Sequence, residues 1–284
     1  MPDSFIDSSV LIGLHFRHAG ERAACDACLP SAAGRVSSRY VVFEIARGFL
    51  RSLINLHNAS LEFVRFSELH QAAYSGARGF RRYEMHTWLG AMTDFMAALE
   101  LETGSFAESQ KLELLRARLR VTIQRGWRKL LRSYSFINDV ECRQDLPEPT
   151  LNADGMLTHA LPVLDCGKPH ACGILSYIDT NRQLVQSLAD HLAGLPEKDK
   201  GTDTDKKHLN GLRHLLESPV GEAFKGKKCH RCGDALICLE APQNHVIATK
   251  NETDFRPIAS HLGKALVVSK TATATAAKSS LPGT

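Results

Sequence analysis

The 284-residue chain contains no run of about 18 uninterrupted apolar residues, which excludes a conventional membrane-spanning helix. It has no basic opening followed by a long apolar core, so no secretory leader is expected and a cytoplasmic location follows. No internal repeat is evident. Charge of one sign is also scarce, with a net charge of +4, so affinity for nucleic acid has to come from local clustering rather than from the total. What is present is ordinary for a globular protein: 43% hydrophobic and 23% charged residues, on a length that holds one large domain or a domain with a sizeable insertion. Two triplets, Asn58-Ala59-Ser60 and Asn251-Glu252-Thr253, match a glycosylation acceptor but are read as chance without secretion.

Along the chain, residues 4–7 read as a buried strand and 8–29 as a helix ended by Pro30 and Gly34. Val36 and Ser37 form a very short strand, followed by a helix over 38–57 with Tyr40, Phe43, Ala46 and Leu50 at helical spacing. Further helices are predicted over 61–75, 82–102 and 106–134. Segment 144–170 is rich in Pro and Gly and reads as loop. A helix over 173–193 precedes a polar, mixed-charge linker at 197–207. A short helix over 234–241 ends at Pro242, and 245–249 and 265–269 read as buried strands. Between them, 256–263 forms one or two helical turns. The Ala/Thr/Ser-rich tail 270–284 is expected to be disordered.

This order predicts a three-layer α/β/α fold with a small central parallel sheet and inserted helices. The main domain is drawn from 1–58 and 228–269, with 59–227 as a mainly helical insertion.

Chemistry concentrates at strand ends and helix starts. Phe5-Ile6-Asp7-Ser8-Ser9 delivers Asp7 at the carboxyl end of a strand, where open α/β sheets bind ligands. Glu44 lies in the first half of the next helix. Gly233-Asp234-Ala235 places Asp234 at a helix N-terminus, which tolerates an anion. Asn251 and Asp254 follow the strand that ends at Thr249. Each acid alone has an ordinary explanation as a helix cap or a solvated residue. Together they suit Mg²⁺ or Mn²⁺, hard cations that take oxygen ligands and orient water and phosphate in phosphodiester hydrolysis. A dehalogenase-type phosphohydrolase would need a second Asp two residues after Asp7, where Ser9 stands.

At these residues the chain resembles the PIN-domain nucleases. The resemblance rests on FIDSSVLI, SSRYVVFEIARGF, CGDALICLEAP and HVIATKNETDFRPI, within 4–50 and 228–269. It implies a metal-dependent endoribonuclease with Asp7, Glu44 and Asp234 as its acids, and Thr249 as the hydroxyl that often follows the last active-site strand. Asn251 or Asp254 would stand in the fourth position, where Asn251 departs from an acid. The resemblance also leaves open a toxin held by an antitoxin, a homodimer, or a catalytically weak module that binds RNA or a protein. The long segment between the second and third motifs departs from the compact members of the family.

Eight cysteines, at 25, 28, 142, 166, 172, 229, 232 and 238, are many for a reducing compartment. Cys142 and Cys238 read as single buried thiols. Cys229-His230-Arg231-Cys232 forms a C-x₂-C knuckle beside the Asp234 helix, and with Cys166 and Cys172 it could close a structural zinc site. Cys25 and Cys28 lie late in the first helix and are set aside. Between Lys111 and Arg132 eight basic residues face one acid, Glu113. Lys111, Arg116, Arg120, Arg125, Arg128 and Lys129 flank a stripe of Leu112, Leu115, Leu119, Ile123 and Trp127, so they are candidates for contact with an RNA backbone. Arg78, Arg81 and Arg82 could extend that patch.

Overall fold

A computed structural model describes residues 3–29, 34–75, 82–100, 102, 104–137, 139–140, 146–159, 172–195, 203–218 and 231–269. Cys142, Cys166, Cys229, Arg78, Arg81 and the tail 270–284 lie outside the described residues.

Five parallel strands make the central sheet: β1 (Ser4–Ile6), β2 (Arg35–Ser38), β3 (Ser135–Ile137), β6 (Val246–Thr249) and β7 (Leu266–Val268), in the order β3-β2-β1-β6-β7. Helices flank it in a three-layer α/β/α arrangement. Phe5 of β1 pairs with Val36 on one side and with Ile247 on the other. Phe5 and Ile6 are fully buried, as a central parallel strand covered on both faces requires. The chain first builds outward from β1 to β2 and β3, then returns to place β6 on the other side of β1. The order therefore reverses between β1 and β6, and open α/β sheets bind ligands at the carboxyl ends flanking such a point.

The helix predicted over 8–29 divides into α1 (Ser8–Phe16) and α2 (Ala19–Ala27). Arg17 and His18 are extended between them, and the His18 imidazole caps α2 by accepting from the Glu21 backbone N–H. The next helix runs as α3 (Arg39–Ile45), a π-helical turn (Ala46–Leu50) and α4 (Arg51–Ser60). Apolar periodicity alone did not reveal that turn, which begins two residues after Glu44. Helices α5 (Phe66–Ser75), α6 (Arg82–Leu99) and α7 (Glu108–Arg132) follow. The expected stripe of α7 is buried, Trp127 and Ile123 completely.

Strand β3 was not anticipated. Its Ser135-Phe136-Ile137 repeats the tripeptide of β1, and it pairs with β2 from within the segment read as an insertion. In the loop-rich segment, β4 (Thr150–Leu151) and β5 (Leu157–Thr158) form a small antiparallel hairpin. The Asn58 side chain ties the hairpin to α4, donating to the Leu157 carbonyl at 2.9 Å and accepting its N–H at 2.8 Å.

The helix predicted over 173–193 is α8 (Gly173–Thr180) and α9 (Arg182–Gly194), broken at Asn181, whose amide donates to the Tyr177 carbonyl. The polar linker at 197–207 runs into a helix the sequence reading did not find, α10 (Asp203–Glu217). His208, Leu212, Leu215 and Leu216 form its buried face, a helical spacing hidden behind a charged start. Last come α11 (Gly233–Glu240) and α12 (Glu252–His261). Helix α12 begins earlier than the 256–263 expected and runs through Pro257.

Candidate functional site

Asp7 leaves β1 at its carboxyl end and caps α1, accepting from the Ser8 backbone N–H at 2.6 Å and from that of Ser9 at 3.3 Å. The Ser9 hydroxyl donates to Oδ2 at 2.6 Å, and Thr249, from the end of β6, donates to the same oxygen at 2.9 Å. Thr249 also accepts the Asn251 backbone N–H at 3.0 Å. The carboxylate is therefore fixed across the gap between β1 and β6. Burial, and then the negative charge of Asp234, raise its pKa above the ordinary value, while the hydrogen bonds from Ser9 and Thr249 act in the other direction.

Glu44 reaches the same place from α3. Its pKa is raised by burial first, then by Asp234 and Asp7, against an opposing hydrogen bond from Ser8 and the charge of Arg47. Its Oε2 is buried without a hydrogen-bond partner. Gly233 opens α11 beside it, and a Cβ added there would stand 3.1 Å from Glu44 Oε1. A side chain before Asp234 would therefore require the Glu44 carboxylate to shift. Asp234 occupies the first turn of α11, where the helix dipole favours an anion. The three predicted acids thus come together at the point where the strand order reverses.

Sequence reasoning missed His208. From α10, its Nε2 stands 3.3 Å from Asp234 Oδ2, and the imidazole is 3% exposed with Nδ1 buried and unpartnered. Only the buried stripe of α10 could have signalled it. Tyr83 was missed too: the residue is 53% exposed, its hydroxyl lies 3.7 Å from where a Cβ of Gly48 would sit, and desolvation of that hydroxyl followed by the Glu44 charge raises its pKa.

The fourth corner resolves differently. Asn251 donates to Asp254 at 2.6 Å, and Asp254 contributes to neither the Asp7 nor the Glu44 shift. The Asn251 amide and the Asp254 carboxylate are thus held to each other.

A divalent cation fits this donor set in kind. All three side chains offer hard oxygen ligands, they repel one another, and one buried oxygen lacks a partner. Among the described residues no group of three or more His, Cys, Asp or Glu side chains is arranged so that it could hold a metal ion. Mg²⁺ characteristically takes only one or two carboxylates and keeps several waters, which suits a site of this looser kind.

Of the zinc candidates, Cys172 precedes α8 and is partly exposed, while Cys232 is buried at the start of α11 against Gly211. Their two partners, Cys166 and Cys229, lie outside the described residues. Cys238 is buried, as expected. On α7 the six basic candidates divide. Lys111 pairs with Glu108 and Arg128 with Glu148, each at 2.9 Å. Arg116 is held by Glu113 and by the Ser60 and Phe63 carbonyls at the end of α4, so it joins two helices and is not offered to a ligand. Arg120, Arg125 and Lys129 form no ion pair among the described residues.

Comparison with protein-family models, curated proteins and solved structures finds no match to this chain. No helix among the described residues is long and apolar enough to cross a membrane.

Proposed function

We propose that the crevice between β1, α3 and α11 is the active site of a Mg²⁺- or Mn²⁺-dependent nuclease, an endoribonuclease of the PIN-like type. The observation that carries this reading is the joint placement of Asp7, Glu44 and Asp234 at the reversal point, with the Glu44 pKa raised by both other acids. Like charges gathered in a low-dielectric crevice are costly unless a cation neutralises them. A divalent cation bound there supplies Lewis-acid activation of a water and stabilises the leaving oxygen of a phosphodiester.

The chain's own residues supply orientation. Ser9 and Thr249 hold one oxygen of Asp7, and Asp7 Oδ1 accepts from Ser8. His208 stands against Oδ2 of Asp234 and fixes that carboxylate from behind, as the outer partners of metal-binding carboxylates do. Glu44 brings the oxygen without a partner.

Titration of the wild-type chain with Mn²⁺, followed by calorimetry, tests the site. One tight equivalent is expected. Glu44→Gln should abolish it, and His208→Ala should weaken it by about tenfold or more. Wild-type affinity in Glu44→Gln would remove the metal from this crevice. A second reading, a catalytically weak module that binds RNA or a protein, is favoured by Asn251 and its bond to Asp254 in place of a fourth free acid. Absence of Mn²⁺ binding by the wild type would select it.

A further inference from the structure

A second concave site lies at the other end of α1. Asp7 caps the start of that helix, and His15 and Phe16 close it, about 12 Å away along the axis at 1.5 Å per residue. There α7 crosses closely enough that a Cβ on Gly126 would stand 2.7 Å from the Phe16 ring. Between these helices, the start of α2 and the face of α6 is a cavity of about 540 Å³.

Its lining is chemically lopsided. Arg22, Arg118, Arg125 and Lys129 line it and form no ion pair with any carboxylate among the described residues. Its one acid, Asp94, is already engaged by Arg17 at 3.5 Å and His18 at 3.8 Å. His15 lines it as well, 9% exposed, with Nδ1 buried and unpartnered. Its pKa is lowered to about 4 by burial first, and the nearby charges of Lys129 and Arg22 add to the shift. The floor is apolar, with the edge-to-face rings of Phe16 and Phe49 beside Leu119. Arg125 and Lys129 also border a second hollow of about 500 Å³ along α7, lined by Arg128 and Arg132.

We propose that this cavity binds a nucleotide by its phosphate, with Arg22, Arg118, Arg125 and Lys129 on the phosphate oxygens and the base over the apolar floor. The volume suits a whole small ligand, since such pockets run to about 300–1,000 Å³. Guanidinium groups pair with phosphate in two-pronged, charge-assisted bonds. The adjoining basic hollow continues the phosphate track, so the nucleotide is either free or the 5′-phosphorylated end of an RNA strand. The proposal does not rest on hydrolysis at the acidic crevice, and its test excludes metal.

The full chain is titrated in EDTA and low salt with ADP, with a 5′-phosphorylated RNA octamer and with the same octamer bearing a 5′-hydroxyl. Binding of ADP identifies a free nucleotide site. Binding of the phosphorylated octamer at least tenfold tighter than the hydroxyl form, with ADP weak, identifies an RNA end. In either case Arg125→Ala and Lys129→Ala, both at exposed positions, should each weaken binding about tenfold, while Arg256→Ala on α12 should not. No binding of any probe overturns the proposal. So does equal binding of both octamers without ADP, or an equal loss in Arg256→Ala, since each reduces the site to general electrostatic attraction.

Discussion

Glu240 shows how a buried carboxylate writes itself into pH dependence. It sits at the end of α11, 4% exposed, with Oε1 accepting the Val140 N–H at 3.0 Å. Burial pushes its pKa up to about 7. Folded, this group holds its proton more tightly than in the unfolded chain, so its contribution to stability is present at low pH. It is lost as pH rises from the ordinary carboxylate value through about 7. Glu240→Gln, which keeps the shape and removes the charge, is therefore expected to raise stability at pH 8 relative to pH 5 by up to about 3 kcal/mol. Denaturant unfolding of both proteins at the two pH values measures it. An unchanged difference would show that Glu240 is solvated. At the same scale, Asp7 and Asp234 were legible in the sequence because strand ends and helix starts have a local signature, whereas Glu44, in the last turn of α3, was singled out through the family resemblance. His208 was not, because its partner Asp234 is brought to it only by the packing of α10 on α11.

Helix α11 is complemented at both ends. Asp234 occupies its first turn, and Lys264, 8% exposed, donates to the carbonyls of Cys238, Leu239 and Ala241 at its close. The last carbonyls of a helix have no internal partner, and a cation there also meets the negative end of the dipole. Lys264→Met leaves those carbonyls buried and unsatisfied, so a loss of roughly 1–3 kcal/mol is expected in a thermal or denaturant melt. A loss below about 0.5 kcal/mol would mean that water reaches them in the wild type. Elements with a strong apolar period, α7 above all, were readable from sequence. Breaks set by single residues, such as the His18 cap and Asn181, were not, because periodicity continues across them. The π-helical turn after Glu44 belongs with these, and such turns recur at functional sites.

Across the whole molecule, the three-layer α/β arrangement was legible because its strands are short apolar runs between helices. Strand β3 escaped notice because Ser135-Phe136-Ile137 carries too little pattern alone. Its place at the sheet edge makes α3 to α7 one long crossover between β2 and β3. The acidic crevice lies at one end of α1 and the cationic cavity at the other, so a single short helix links the two candidate sites. Asp7 caps the start of that helix and belongs to the acidic site. Purified wild type and Asp7→Asn should be compared for cleavage of a long RNA in Mn²⁺, with thermal melts run alongside. Cleavage by the wild type, stopped by EDTA, is expected, with a loss of about a hundredfold or more in the variant while its melt is retained. Equal cleavage by the two proteins would contradict that expectation.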